Sequence, residues 1–368
     1  MNKAIKYRLY PTTEQKIMFV KTFGCCRKVY NLMLADKIAC YKKTKSFGKQ
    51  TPAMYKAEYP FLKEVDSLAL ANVQLNLQSA LKNCFDKSRK RQNGFPKFKS
   101  AKHSRKSYTT NNQKGTVAII DDRYIKLPKI GKIKAVIHRK PDADWTIKSA
   151  TISQDSDGKF YVSVLFEYEK AITPAIISDN AVGIDYKSDG LYMDSNGYCP
   201  FGHKYYRQNQ EKLAQAQRKL KHMAIGSNNY KKQQCKIAKI QKHTSNQRLD
   251  FLHKESTKIT NLYDVVCVET LDMKAMSNKA FGNGKATMDN GYGMFLNMLE
   301  YKLANRGKYF VKVDKWYPSS QLCSCCGKQK KLTLADRIYK CDCGLTINRD
   351  HNAAINIKNE GLRILKSV

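Results

Sequence analysis

Two close pairs of cysteines, Cys323-x-x-Cys326 and Cys341-x-Cys343, constrain the fold of this chain more than any other feature. A glycine follows each pair directly, Gly327 and Gly344. Two tight turns of this kind present four thiolates tetrahedrally to one zinc ion. All four ligands come from protein, so the site is structural and leaves no coordination position open for chemistry. Cys325 is a spare thiol that can compete with Cys323 or Cys326 as a ligand. The other cysteines (Cys25, Cys26, Cys40, Cys84, Cys199, Cys235 and Cys267) are scattered and read as packing residues. Free thiols beside a metal site point to a reducing compartment. No apolar run approaches the roughly 18 residues that span a bilayer. Met1 to Pro11 lacks the apolar core of a signal peptide. The expected location is cytoplasmic, associated with the nucleoid.

Charge narrows the partner. Lys and Arg total 67 against 31 acidic residues in 368, a net charge of +36. Such self-repulsion disfavours a compact chain unless a polyanion neutralises it. Nucleic acid does so and releases condensed counterions as well. No membrane partner is expected.

The pattern along the chain suggests several domains. Residues 3–10 read as a strand. Thr12 and Gln15 have capping-box spacing. Phe19, Phe23, Cys26, Tyr30 and Leu34 then fall on one helical face. A second helix is predicted from Ser67 to Arg91, its apolar face Leu70, Val73, Leu77, Leu81 and Cys84. Alternation at Ile133, Ala135 and Ile137, and from Phe160 to Tyr168, predicts strands that could close a small antiparallel barrel with the first strand. Beyond residue 178, Ala181–Asp185 and Val265–Glu269 are short apolar strands that each end in an acid, and Leu191–Asp194 is the hairpin partner of the first. Between them a basic helical pair is predicted over 204–248, with a break near Gly226. The glycine-rich segment 274–291 reads as a mobile lid. A helix with Leu296, Leu299 and Leu303 on one face and a strand over Tyr309–Asp314 follow.

An acid at the end of an apolar strand projects from the sheet edge, where α/β active sites commonly sit. Asp350, in NRDHNAAIN, lies just past the cysteines at the expected start of a helix. Asp185, Glu269 and Asp350 could together hold two Mg²⁺ ions about 4 Å apart and hydrolyse a phosphodiester. Each also has an ordinary explanation: Asp185 as a turn residue, Glu269 as a solvated strand end, Asp350 as a helix cap. His351 is read as a neighbour rather than a base.

Nucleic-acid contacts are sought in the amino-terminal half. Asn72, Asn76 and Asn83 share a polar helix face, and amides pair well with adenine. Gln74 is an equally plausible reader, and an ordinary exposed face explains the pattern as well. From Lys82 to Lys106 there are ten basic residues and one acid. Lys97, Lys99, Arg105 and Lys106 are expected on phosphates, with Tyr108 among the aromatics that could stack on bases.

The succession GID, VET, CSxCG, CxCG and RDxNAAxNI resembles the TnpB (OrfB) proteins of bacterial insertion sequences, relatives of the compact type V CRISPR effectors. KYRLYPTTEQ, GFPKFKSAKHSRKSY and YPSSQLCSCCG extend the likeness over nearly the whole chain. The resemblance implies an α+β multidomain architecture: a helical recognition domain (11–111) inserted in a wedge-like antiparallel β-barrel (1–10 and 112–176). An RNase H-like (RuvC) α/β nuclease domain (177–314 and 346–368) would follow, with an inserted zinc ribbon (315–345). It implies that Asp185, Glu269 and Asp350 are catalytic and hold two Mg²⁺, and that Cys323, Cys326, Cys341 and Cys343 hold one Zn²⁺. The implied partners are a guide RNA from the transposon end and double-stranded target DNA beside a short flanking motif. Two departures stand out. Asn348 replaces an aspartate frequent in the family, and Tyr186 and Lys187 follow Asp185 where small or aliphatic residues are usual; Lys187 could approach a phosphate. The competing readings are a guide-carrying repressor that does not cut, and a zinc-ribbon nucleic-acid-binding accessory factor.

Overall fold

The computed structural model describes residues 1–86, 88, 94–175, 178–278, 284–333 and 336–367. The end of the predicted second helix, part of the basic run after Lys82, residues 176 and 177 at the expected domain junction, and the centre of the glycine-rich segment lie outside the described residues. The chain forms two compact units, Met1–Lys170 and Ala171–Val368.

In the first unit, β1 (Asn2–Tyr10) runs into α1 (Thr13–Thr44), and two short 3-10 turns precede α2 (Ser67–Phe85). The capping box is present: Thr12 Oγ1 accepts from the Gln15 amide, and Gln15 Oε1 accepts from the Thr12 amide. Six strands follow: β2 (Ser107–Asn111), β3 (Ala118–Ile120), β4 (Tyr124–Leu127), β5 (Gly131–Val136), β6 (Thr146–Gln154) and β7 (Phe160–Glu167). With β1 they make one antiparallel sheet in the order β2-β6-β7-β1-β5-β4-β3.

This sheet corrects two expectations. It is an open half-barrel rather than a closed barrel, since β2 and β3 each pair on one side among the described residues. At the β2 end, Asp66, the N-cap of α2, accepts a bond from Thr110 Oγ1 on β2. Ser107–Asn111, read with the helical segment, belongs to the sheet. The helices and the sheet also share one core: Phe19, Val29 and Leu34 of α1 and Leu70 and Leu77 of α2 pack with Ile5, Val162 and Phe166.

In the second unit, β8 (Ala181–Lys187) and β9 (Leu191–Asp194) form a hairpin. Next come α3 (Tyr205–Lys221), α4 (Asn228–Leu262), β10 (Val265–Glu269), α5 (Met273–Met276), α6 (Gly284–Asn290), α7 (Tyr292–Ala304) and β11 (Tyr309–Val313). A small hairpin, β12 (Ile338–Lys340) and β13 (Thr346–Asn348), leads into α8 (Arg349–Lys366). The four-stranded sheet has the order β11-β10-β8-β9, with β10 parallel to both β8 and β11. Its faces are buried by α7 and α4 on one core and by α8 on another. Among the described residues no helix is long and apolar enough to cross a membrane.

The basic helical pair is longer than predicted. Beyond residue 248, α4 buries Leu252, Ser256 and Ile259, a mixed face whose period is diluted by polar residues. The segment read as a lid over 274–291 holds two short helices among the described residues, Met273–Met276 and Gly284–Asn290. Buried Asp289 fixes α6 by accepting from the Tyr206 and Arg207 amides at 2.9 and 3.4 Å and pairing with Arg248 at 3.3 Å. Tertiary anchoring overrides the poor helix propensity of this stretch.

Candidate functional site

The geometry of the sheet aims two acids into one crevice. Parallel pairing of β10 with β8 ends at Ile184 opposite Val268, while β8 continues against β9 to Lys187. Asp185 is thus the first residue past the paired stretch on the β10 side, and Glu269 is the last residue of β10. The Tyr186 amide donates to Glu269 Oε1 at 3.1 Å, and the Glu269 carboxyl acts electrostatically on that of Asp185.

The third acid arrives on α8, whose close approach depends on glycine. A Cβ on Gly183 would lie 2.0 Å from the Ala354 carbonyl oxygen, and one on Gly361 would lie 2.3 Å from Cys267 Sγ. The missing side chains let the helix lie directly on β8 and β10. Asn348 caps it, its Oδ1 accepting from the Asp350 and His351 amides at 2.9 and 3.3 Å. Asparagine and aspartate cap about equally well, so this departure preserves the helix start. Asp350 Oδ2 lies 3.9 Å from Lys187 Nζ, and its Oδ1 lies 3.6 Å from an Arg349 nitrogen.

Asp185, Glu269 and Asp350 line one cavity of about 900 Å³, together with Lys187, Arg337 and Arg349. Burial pushes the Asp185 carboxyl well above the usual range, and the charges of Glu269 and Asp350 push it further. Burial also raises Glu269, against the Tyr186 amide, which lowers it. Like charges lining one site disfavour joint ionisation, and a bound cation would relieve this. The donor set is hard oxygen, suited to Mg²⁺.

The raised pKa sets a pH dependence. A carboxyl whose folded-state pKa is raised stabilises the fold while protonated, below the ordinary aspartate value. That contribution is lost as pH rises through the raised value. In chelator, the thermal midpoint of the second unit is therefore expected to fall from mildly acidic to mildly alkaline pH, and Asp185→Asn is expected to flatten the fall. Thermal unfolding across that range checks this; identical slopes in the two proteins would contradict it.

The cysteines form the other cluster. The Sγ atoms of Cys323, Cys326, Cys341 and Cys343 all lie within 4.8 Å of one another, with two pairs at 3.6 Å. Four thiolates around zinc at about 2.3 Å stand about 3.8 Å apart, so this set fits a tetrahedral ion. Burial raises the Cys323 thiol, but the Cys326 and Cys325 amides together with the Cys326 and Cys341 thiols outweigh it and bring its pKa down to about 6. Cys325 lies outside the cluster and is exposed. Among the described residues no other group of three potential metal ligands is as tight.

Two asparagines bind this module to the helix that carries Asp350. Asn352 donates to the Leu322 carbonyl at 2.6 Å and accepts from the Ser324 amide at 3.0 Å. Asn356 donates to the Ser319 and Leu322 carbonyls at 2.8 and 2.7 Å. Both are buried, one helical turn apart on the same face. Sequence reasoning quoted NAAIN as a signature but missed this role; the i, i+4 spacing of two amides in an apolar helix face was the available signal.

In the first unit, Asn72, Asn76, Lys99, Arg105, Lys106 and Tyr108 line a cavity of about 250 Å³ with Arg27. Gln74 and Lys97 are not among its lining residues. Asn72 Nδ2 is bonded to the Leu68 carbonyl of its own helix at 2.9 Å. Lys99 Nζ lies 3.9 Å from the centre of the Tyr30 ring. Tyr108 requires correction as a stacking residue. The alternation of β2 turns it inward, and its ring packs between Phe19 and Phe23.

Residues 163–280 match the OrfB IS605 family, described as a probable transposase, and residues 292–357 match the Cas12f1-like TNB domain. Residues 1–46 match a helix-turn-helix domain of the same group; here that stretch is β1 followed by α1. Two relatives carry the name "Putative RNA-guided DNA endonuclease". The one from Streptomyces pristinaespiralis is 35% identical over 98% of this chain and 90% of its own. The one from Escherichia coli K12, InsQ, is 30% identical over 99% of this chain and 93% of its own. In fold, the chain is similar to the protein of a Cas12f1–sgRNA–target DNA complex, with a TM-score of 0.63 at 14% identity over 98% of this chain and 99% of that one.

Proposed function

Because this chain belongs to the OrfB (TnpB) family of transposon-encoded RNA-guided nucleases, we propose that it is an RNA-guided DNA endonuclease whose hydrolytic centre is Asp185, Glu269 and Asp350. One observation carries the assignment of the centre: acids from β8, β10 and the start of α8 line a single cavity. Under this reading the second unit is RuvC-like with a zinc-ribbon insert over 315–345. The sheet of the first unit is the wedge, and α1 and α2 are its recognition helices.

Two magnesium ions held by the acids would supply an activated water and charge compensation at the leaving oxygen. The protein's own part is positional. Asp185 and Glu269 would serve as ligands, and the Tyr186 amide holds Glu269 in place. Asp350 stays at the cavity wall between Lys187 and Arg349. With Arg337, these cations line the route a phosphodiester must take, so they offset its charge and orient it. The cysteine cluster holds zinc and keeps β13, and hence the α8 cap, in register.

Guide RNA from the element's end and double-stranded DNA are the proposed partners. The basic exposed faces of α3 and α4 are suited to a heteroduplex backbone, and the cavity lined by Asn76, Lys99, Arg105 and Lys106 to DNA beside the target. Purifying the protein with the flanking element RNA and challenging it with plasmids that carry a matched target and a randomised flank tests the proposal. Guide-dependent, Mg²⁺-dependent cutting is expected. Guided binding without cutting would favour the repressor, and absence of bound RNA the accessory factor.

A further inference from the structure

Trp316 is 80% exposed, although an indole gains more from burial than almost any other side chain. The chain's other tryptophan, Trp145, is half-buried and stacks on Tyr168 with ring centres 4.4 Å apart. The backbone around Trp316 is fixed. Asp314 Oδ1 accepts from the Trp316 amide at 2.8 Å, and the Asp314 carbonyl accepts from the Tyr317 amide at 3.2 Å. Tyr317 packs against the core that holds Val313 and Ile357, so the turn that covers one ring leaves its neighbour in solvent. Lys315 Nζ lies 4.8 Å from the centre of the indole, a cation held on the ring.

The turn stands at the acid cavity. Val313, the last residue of β11, is the register partner of Glu269, and its carbonyl accepts from Thr270 Oγ1 at 2.7 Å. On the other side of Trp316, Ser319, Ser320 and Gln321 line the cavity. Trp316 is three residues from Val313 and three from Ser319, a stretch of chain that reaches at most about 11 Å. The cavity wall offers Lys187, Arg337 and Arg349 to phosphates. It offers little to a base: Tyr186 is the one aromatic among the described lining residues, and its ring packs against Tyr292 with centres 4.9 Å apart. The exposed ring on the approach is Trp316.

We propose that Trp316 is a positioning residue for a DNA strand entering the acid cavity: an unpaired base stacks on the indole while the strand's phosphates meet Lys187, Arg337 and Arg349. This rests on the reading of the acids as the hydrolytic centre. Stacking on a ring tolerates any sequence, because every base has a π-face. That suits an enzyme whose sequence reading is left to its guide. It also selects a single strand, since the faces of paired bases are already covered by their neighbours in the stack. Lys315 beside the ring adds a charge for the adjoining phosphate.

Fluorescence reads the contact directly, because Trp316 is one of only two tryptophans. The full chain, without RNA and without Mg²⁺, is titrated with oligothymidylate, with an abasic strand of equal length and with duplex DNA. Oligothymidylate is expected to quench the exposed indole, the abasic strand and the duplex to leave it bright, and Trp316→Phe to abolish the difference. In the RNA-loaded complex, Trp316→Leu keeps apolar bulk without the ring. It is expected to slow guide-dependent cutting by about 10-fold, with target binding and thermal midpoint unchanged, and Trp316→Phe to recover most of the rate. Equal quenching by base-bearing and abasic strands overturns the proposal, since the contact is then with phosphates alone. So does parent-like cutting by Trp316→Leu, or a lowered midpoint that accounts for its slower cutting. If the parent shows no Asp185-dependent cutting, the reading of the centre falls and takes this inference with it. A failed quench beside intact cutting removes this inference alone, so the two failures are distinguishable.

Discussion

Asp185→Ala is expected to lower guide-dependent cleavage by on the order of 10³-fold or more while leaving RNA and target binding intact. Metal ligation supplies several kcal/mol of transition-state stabilisation, and each 1.36 kcal/mol is about a factor of ten in rate. Asp185 sits between the other two acids electrostatically: the charges of both Glu269 and Asp350 act on it. The fold should survive, because the substitution removes a desolvated carboxyl from a like-charged neighbourhood and stability in chelator should not fall. Band-shift and plasmid-cutting assays on the same preparation separate the two effects. Cutting at near-parent rates by a well-folded Asp185→Ala protein would sink the assignment of the centre.

Zinc loss should have the largest structural effect. Cys326→Ser is expected to release the ion and unfold the region around β12 and β13 while the first unit keeps its own transition. The hairpin has three-residue strands, and an isolated hairpin is marginal in water. Its core is largely Tyr339, whose hydroxyl donates to the Gln321 and Lys328 carbonyls at 3.2 and 3.1 Å. Zinc binding contributes about 10–16 kcal/mol of folding free energy in zinc-finger peptides, far more than these bonds can. The effect should reach catalysis. Asn352 and Asn356 hold the loop before the cysteines on α8, and β13 ends at the Asn348 cap beside Asp350. Elemental analysis and hydrogen exchange check the loss, with Cys325→Ser as a control expected to retain the ion. Full zinc content and unchanged protection in Cys326→Ser would contradict the assigned ligand set.

The legible parts of this protein were those written in short-range patterns. The apolar runs that end in Asp185 and Glu269 emerged as parallel neighbours β8 and β10 because a buried strand must be apolar, while the residues just past the end of the β8–β10 pairing need not be. The helical face from Phe19 to Leu34 is buried as its period required. Closure of the barrel was not legible, because alternation specifies which face is buried and not whether the two edges meet. Tyr108 was misread because an aromatic in a basic stretch looks the same whether it faces solvent or the core. The helix over Gly284–Asn290 depends on Asp289 reaching the start of α3, a contact more than 80 residues away in the chain.

The amino-acid order by itself determined the four-cysteine module, the acids at strand ends and the overwhelming positive charge, since each rests on residue type and local spacing. Tertiary structure alone decided that Asp350 lines the same cavity as the other two acids. That placement depends on Gly183 and Gly361 removing the Cβ atoms that would hold α8 off the sheet, and van der Waals exclusion between distant segments leaves no local trace.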